Sequence, residues 1–211
     1  MTDKLRKSLI LGSIILGVAF FCLSILVNTD SFRDIDYQSM LGLQQHISRF
    51  FDIPFSVFTV LGSTEISLII LMLVFTGLII KKKKLFLGIF LYFSIYLIEL
   101  IGKLVIFHPS PPALFHRYAL NIYFPSQFVV NTRFAFPSGH MARSIFLVII
   151  ALFLFLKNKN FRYRKIVAAG FFIFTLVMFI SRVYLGEHWL SDVIGGLFLG
   201  STIAFLSLSF W

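Results

Sequence analysis

Six stretches of the chain read as nearly unbroken apolar runs: roughly 8–27, 57–80, 85–107, 138–156, 166–186 and 189–210. Each has about the 20 residues a helix needs to cross the hydrocarbon of a bilayer. None alternates apolar and polar residues with the period of two that marks a membrane β-barrel strand. The pattern predicts an all-α polytopic membrane protein, with six transmembrane helices in a bundle and residues 1–211 forming a single integral-membrane domain. The first run follows a basic start (Lys4, Arg6, Lys7) but is longer than a usual leader and lacks a small-x-small cleavage site. It is read as a retained helix. Between the first two runs, Ile35, Met40, Leu41, Leu43, Ile47, Phe50 and Phe51 interleave with Asp34, Asp36, Gln44 and Arg49. That piece predicts an interfacial helix, or one packed over the bundle.

Composition agrees. The chain is 58% hydrophobic and 13% charged, against about 45–50% and about 25% in soluble domains. A disordered protein, a coiled coil and a disulfide scaffold are excluded, and the single Cys22 allows no internal disulfide. The formal charge of +10 would suggest nucleic acid in a soluble protein, but its placement says otherwise. Twelve basic residues lie at the N-terminus, in the Lys81–Lys84 turn and in the 157–165 turn. The alternate segments hold five: Arg33, Arg49, Arg117, Arg133 and Arg182. The positive-inside rule then places both termini in the cytoplasm and segments 28–56, 108–137 and the turn near 187 outside. The lysine run is a topology anchor, and no nucleic-acid partner is expected.

Polar groups are costly inside a membrane and point to function. Three clusters stand out, all at the outward ends of the runs. Lys103 is followed by His108-Pro109-Ser110-Pro111-Pro112; by itself the lysine can simply snorkel or pair with Glu99 one turn earlier. Pro137-Ser138-Gly139-His140 precedes the fourth run, where free backbone N–H groups and a hydroxyl at a helix start suit an anion, although a plain N-cap with an incidental histidine has the same look. Ser181-Arg182, His188 and Asp192 span the fifth and sixth runs. If the last is helical, His188 and Asp192 share a face, and the carboxylate can hold the imidazole in one tautomer. Two histidines, a carboxylate, two cations and a helix N-terminus on one side of the membrane form an inventory for phosphoryl transfer. A metal site fits less well, because ligand spacing is absent and the cations repel a metal. A serine hydrolase built on Ser138, His140 and Asp192 would have no use for Lys103 and Arg182.

With these residues the chain resembles the type-2 phosphatidic acid phosphatase superfamily, the lipid phosphate phosphatases that share a site with vanadium haloperoxidases. That family carries K-x6-R-P, P-S-G-H and S-R-x5-H-x3-D. The second motif is complete at Pro137–His140 and the third at Ser181-Arg182, His188 and Asp192. The first departs: Lys103 is followed by six residues and then Ser110-Pro111, where the family has Arg-Pro. Arg143, three residues beyond His140 in an apolar run, is the candidate to compensate, with Arg117 and Arg133 weaker ones. The alternative for Arg143 is an ion pair with Glu99 or Glu65.

The resemblance implies roles that the chemistry of each residue fits. His188 is the nucleophile and gives a phosphohistidine; Asp192 orients it; His140 is the general acid and then base. Lys103, Ser138, Gly139 and Arg182, with Arg143 and Ser110 as further candidates, bind the phosphoryl oxygens. No metal and no cofactor are implied. The implied partners are the bilayer and a phospholipid or polyprenyl (pyro)phosphate substrate, and the implied place is a bacterial cell membrane, with the site on its outer face. The oligomeric state is not legible. A lipid phosphotransferase on the same scaffold, or a non-catalytic membrane binding or transport protein, are the alternative readings.

Overall fold

Within hydrocarbon, a lone spanning segment satisfies its own backbone N–H and C=O groups only as a helix. The computed structural model describes residues 2–80, 88, 90–117, 134–157 and 162–210, and helix covers each of the six apolar runs at least in part. Among these residues the α-helices are α1 (Asp3–Asn28), α2 (Arg33–His46), α3 (Asp52–Thr59), α4 (Thr64–Ile80), α5 (Tyr92–Val105), α6 (Gly139–Lys157), α7 (Arg164–Tyr184) and α8 (Leu190–Ser209). Among the same residues no strand occurs, only an isolated bridge between Pro109 and Phe134. Helices α1, α6, α7 and α8 are long and apolar enough to cross a membrane, and a bent pair, Arg49–Gly62 with Thr64–Ile79, makes a fifth candidate. The Lys81–Lys84 turn, residues 118–133 with Arg133, and residues 158–161 with Lys159 lie outside the described residues.

The second run, expected as one helix over 57–80, is divided. A 3-10 turn at Val60–Gly62 leads to Ser63, whose backbone is extended and whose Oγ accepts from Ile66 N at 3.3 Å, starting a new helix. The two pieces meet at 49°. Gly62 at the break faces His140 and Ser144 so closely that a Cβ there would lie about 3 Å from both. The bend therefore brings backbone, not side chain, to the start of α6.

Helix α8 is the centre of the bundle, packed along α1 and α6. Gly196 and Gly200 make that approach feasible: a Cβ at either would strike the carbonyl of Ser138 or Ala142 on the facing segment. Helix α2 packs against α7 and α8 with Asp36 and Met40 buried, so the amphipathic piece lies over the helices. Short backbone links then join the segments that carry the three motifs. Ala135 N donates to His108 O at 2.9 Å, and Ser138 N to Asp192 O at 3.0 Å. Helix α7 ends at Gly186, whose φ of +73° suits the left-handed cap. Beyond it Glu187 N and His188 N both turn back to Arg182 O at 3.3 Å.

Candidate active site

The first turn of α8 holds Asp192 with no exposed surface. Its Oδ2 accepts from Trp189 N at 2.9 Å, which caps the helix, and lies 3.3 Å from His188 Nδ1. A carboxylate oxygen in that position calls for the proton on Nδ1 and leaves a lone pair on Nε2. His188 is buried. Burial first, and then the positive charges of Arg182, Lys103 and Arg143, hold its pKa well below the ordinary imidazole range. The ring is therefore neutral, which is the nucleophilic form.

Arg182 is 2% exposed. It donates from Nη1 to Thr59 Oγ1 at 2.6 Å and from Nη2 to Glu187 Oε2. Its Nε, like Ser138 Oγ, is buried with no protein partner among the described residues. A buried donor left unmade costs about 1–3 kcal/mol, and these two groups are free to meet a ligand's acceptors or water. His140, in the first turn of α6, is half-buried against Gly62. It lies within electrostatic reach of Arg182, Arg143, His188 and Lys103.

Glu99 organises the other two cations. Lys103 Nζ donates to its Oε1 at 2.8 Å, and Arg143 Nη1 to its Oε2 at 2.6 Å. The carboxylate lies in the space a side chain at residue 139 would occupy, which glycine leaves open. Arg143 also donates from Nε to Gly62 O at 3.3 Å and stacks over Tyr96 at 5.2 Å. The ion pair with Glu99 is thus formed, and its arginine still bears on His188.

The structure thus gathers Lys103, Ser138, Gly139, His140, Arg143, Arg182, His188 and Asp192 at one end of the bundle. Ser110 is not among them: it is exposed and lines an outer pocket of about 620 Å³ with His108, Asp36 and Trp189. Arg117 is engaged elsewhere, donating to Tyr184 Oη at 3.1 Å and Gln44 O at 2.9 Å. Among the described residues no three His, Cys, Asp or Glu side chains are arranged to hold a metal ion. An apolar cavity of about 490 Å³ lies beside the site between α4, α6 and α7; Leu61 and Ser144 line its edge, followed by Leu147, Phe171 and Phe174.

Several contributors had no clear mark in the sequence. Thr59 sits in an apolar run, Gly62 reads as an ordinary glycine, and Glu187 reads as a solvent-facing turn residue. Asp36 looks like the polar side of an amphipathic piece, yet it is 1% exposed.

Comparison with known proteins adds the family. Phosphatidylglycerophosphatase B of Bacillus subtilis (strain 168) is 33% identical over 84 residues, a match covering 39% of this chain and 41% of that relative's length. The crystal structure of a transmembrane PAP2-type phosphatidylglycerolphosphate phosphatase from Bacillus subtilis superposes with a TM-score of 0.75, at 22% identity, covering 94% of each chain. That of Aquifex aeolicus LpxE gives 0.57 at 21% identity, covering 82% of this chain and 94% of the other. At such identities the two structures speak for the fold. The PAP2 superfamily model matches residues 83–211, a stretch that contains Lys103 and both complete motifs, and the chain belongs to the PAP2 superfamily.

Proposed function

We propose that this protein is a membrane-embedded lipid phosphate phosphatase that hydrolyses a phosphomonoester or pyrophosphate headgroup through a phosphohistidine. The observation that carries the reading is the buried, neutral His188 held by Asp192 at 3.3 Å next to Arg182, with Ser138 Oγ and Arg182 Nε buried and without a partner among the described residues. His188 Nε2 attacks phosphorus as the bond from phosphorus to the lipid oxygen breaks. His140 gives that oxygen a proton. The same histidine then takes a proton from water as it cleaves the phosphorus–nitrogen bond and releases phosphate. Lys103, Ser138, the Gly139 N–H and Arg182 hold the oxygens while charge moves among them. Arg143 supplies the second guanidinium that the first motif lacks, with Glu99 holding one of its nitrogens.

The substrate is a lipid phosphate whose tail lies in the apolar cavity between α4, α6 and α7, as the adjoining position of Ser144 and His140 supports. A relative named phosphatidylglycerophosphatase supports a phospholipid headgroup. Six crossings in a single domain, both termini cytoplasmic and the site on the outer face of a bacterial cell membrane complete the reading, supported by the twelve-to-five split of basic residues.

The test is phosphate release by purified protein from a panel of phosphatidic acid, phosphatidylglycerol phosphate and a polyprenyl pyrophosphate, with and without excess chelator. Release that chelator leaves unchanged is expected. Loss of activity on chelation, restored by Mg²⁺ or Zn²⁺, would refute the metal-free mechanism. A modified lipid without free phosphate would make the protein a transferase.

A further inference from the structure

Asp192 is held on both sides. One oxygen, Oδ2, serves His188 and the helix cap. The other, Oδ1, is buried and makes no regular hydrogen bond among the described residues. A second imidazole faces it: His108 Nε2 stands 3.4 Å away. His108 is itself 4% exposed, and its backbone is fixed by the Ala135 N–H. The next residue, Pro109, accepts from Trp189 Nε1 at 2.8 Å.

The tautomer of His108 follows from its neighbours. Ser191 gives both its protons to Asp36: the backbone N–H to Oδ1 and the hydroxyl to Oδ2, each at 2.7 Å. With its only hydroxyl proton so used, Ser191 Oγ accepts at 3.3 Å from His108 Nε2. Nε2 therefore carries a hydrogen, bonded to Ser191 Oγ, and Asp192 Oδ1 stands 3.4 Å from the same nitrogen. Burial brings His108 down to about 4, opposed by the charge of Asp30, so the ring is neutral and this is its one N–H. The acidic groups facing it are Asp36 from α2, at 3.7 Å, Asp192 from α8, and Asp30 from the turn after α1.

We propose that His108 is a positioning residue for the nucleophile, its Nε2–H fixing Asp192 by Oδ1 so that Oδ2 stays turned to His188 Nδ1. This rests on the reading of His188 as nucleophile. It ties α2 to the chemistry, because Asp36 orients Ser191, Ser191 orients His108, and His108 orients Asp192. Partners in such an outer layer hold a reacting group by geometry, and their loss lowers turnover without touching the substrate.

The test compares His108→Leu, which removes the N–H, with His108→Gln, whose amide N–H reaches the place of Nε2–H. Purified variants are assayed for phosphate release and, separately, for binding of orthovanadate by thermal shift. Vanadate takes a fifth ligand from an imidazole nitrogen, so its affinity reports how His188 is presented even without turnover. The leucine variant is expected to lose about 10–100-fold in kcat with KM within about twofold of wild type, and to bind vanadate more weakly. The glutamine variant is expected to recover most of both. Wild-type kcat and vanadate affinity in the leucine variant, or a folded glutamine variant as impaired as leucine, would overturn the role. If His108→Leu does not fold, His108→Asn replaces it, since its amide is too short to reach Asp192. Wild-type protein that binds vanadate but releases no phosphate would sink the phosphatase reading alone, with the leucine–glutamine difference in vanadate affinity still deciding His108. Wild type that binds no vanadate would overturn both.

Discussion

Helices α1 and α8 pack along each other, yet they solve opposite problems. An 18-residue stretch of α1 is the more hydropathic of the two and is only 17% buried, whereas one of α8 is 61% buried. Leu11, Ile14, Ile15, Val18 and Phe21 of α1 all stand exposed. The buried surface of α8 combines Ser191, Asp192, Gly195, Gly196, Gly200, Ser201, Ser207 and Ser209 with the apolar Val193, Leu199, Ile203, Ala204 and Leu208. In water this would be inside out. In lipid it is expected: tails are as apolar as leucine, so apolar side chains gain little by turning inward, while small and polar residues gain close packing and hydrogen bonds there. The contrast places Asp192 in the less hydrophobic helix, where a carboxylate can be kept dry and partnered.

The sharpest way to break the contrast is at its polar end. His188→Ala should cost at least about 10⁴-fold in phosphate release, because no other group in the clamp can take the covalent role; a folded variant with wild-type rates would end the assignment. Next comes packing. Gly200→Leu should drive a side chain into the Ala142 carbonyl of α6 and destabilise the bundle by about 1–3 kcal/mol or more. Ile15→Ala on α1 should stay within about 0.5 kcal/mol. Thermal melting in detergent compares the two, and equal losses would mean that α1 is not lipid-facing.

Arg143→Ala should lower kcat/KM by about 10–150-fold, the equivalent of about 1.5–3 kcal/mol of charge-assisted hydrogen bonding. Ser110→Arg in that background should recover part of the loss. A silent Arg143→Ala would leave the arginine as a structural partner of Glu99. The smallest expected effect is on pH. Because burial and neighbouring cations keep His188 unprotonated well below its ordinary value, acidifying through about pH 6.5 should not slow phosphohistidine formation in a rapid-quench experiment. A fall centred there would mean that the nucleophile titrates as an ordinary imidazole.

Local spacing was readable from the chain because it needs no knowledge of packing. Runs of about 20 apolar residues imply helices, and the positions of basic residues imply an orientation. A helical face puts Lys103 four residues from Glu99, and that pair formed. The same spacing predicts that His188 shares a helical face with Asp192, but His188 lies in the bend before α8, and the 3.3 Å approach comes from the extended Trp189 that turns the chain into the helix. Pairings across helices were decided only in three dimensions. Arg143 meets a glutamate 44 residues away, Arg182 a threonine 123 away, and Ser191 an aspartate 155 away. The break at Gly62–Ser63 likewise depends on what α6 presents opposite it, and the exposure of Ser110 on how the loop after α5 crosses the end of the bundle. Periodicity fixes which residues share a face of one helix, whereas the partner of each buried charge follows from how helices approach, and that approach is set by close contacts such as Gly196 and Gly200 that no single segment reveals.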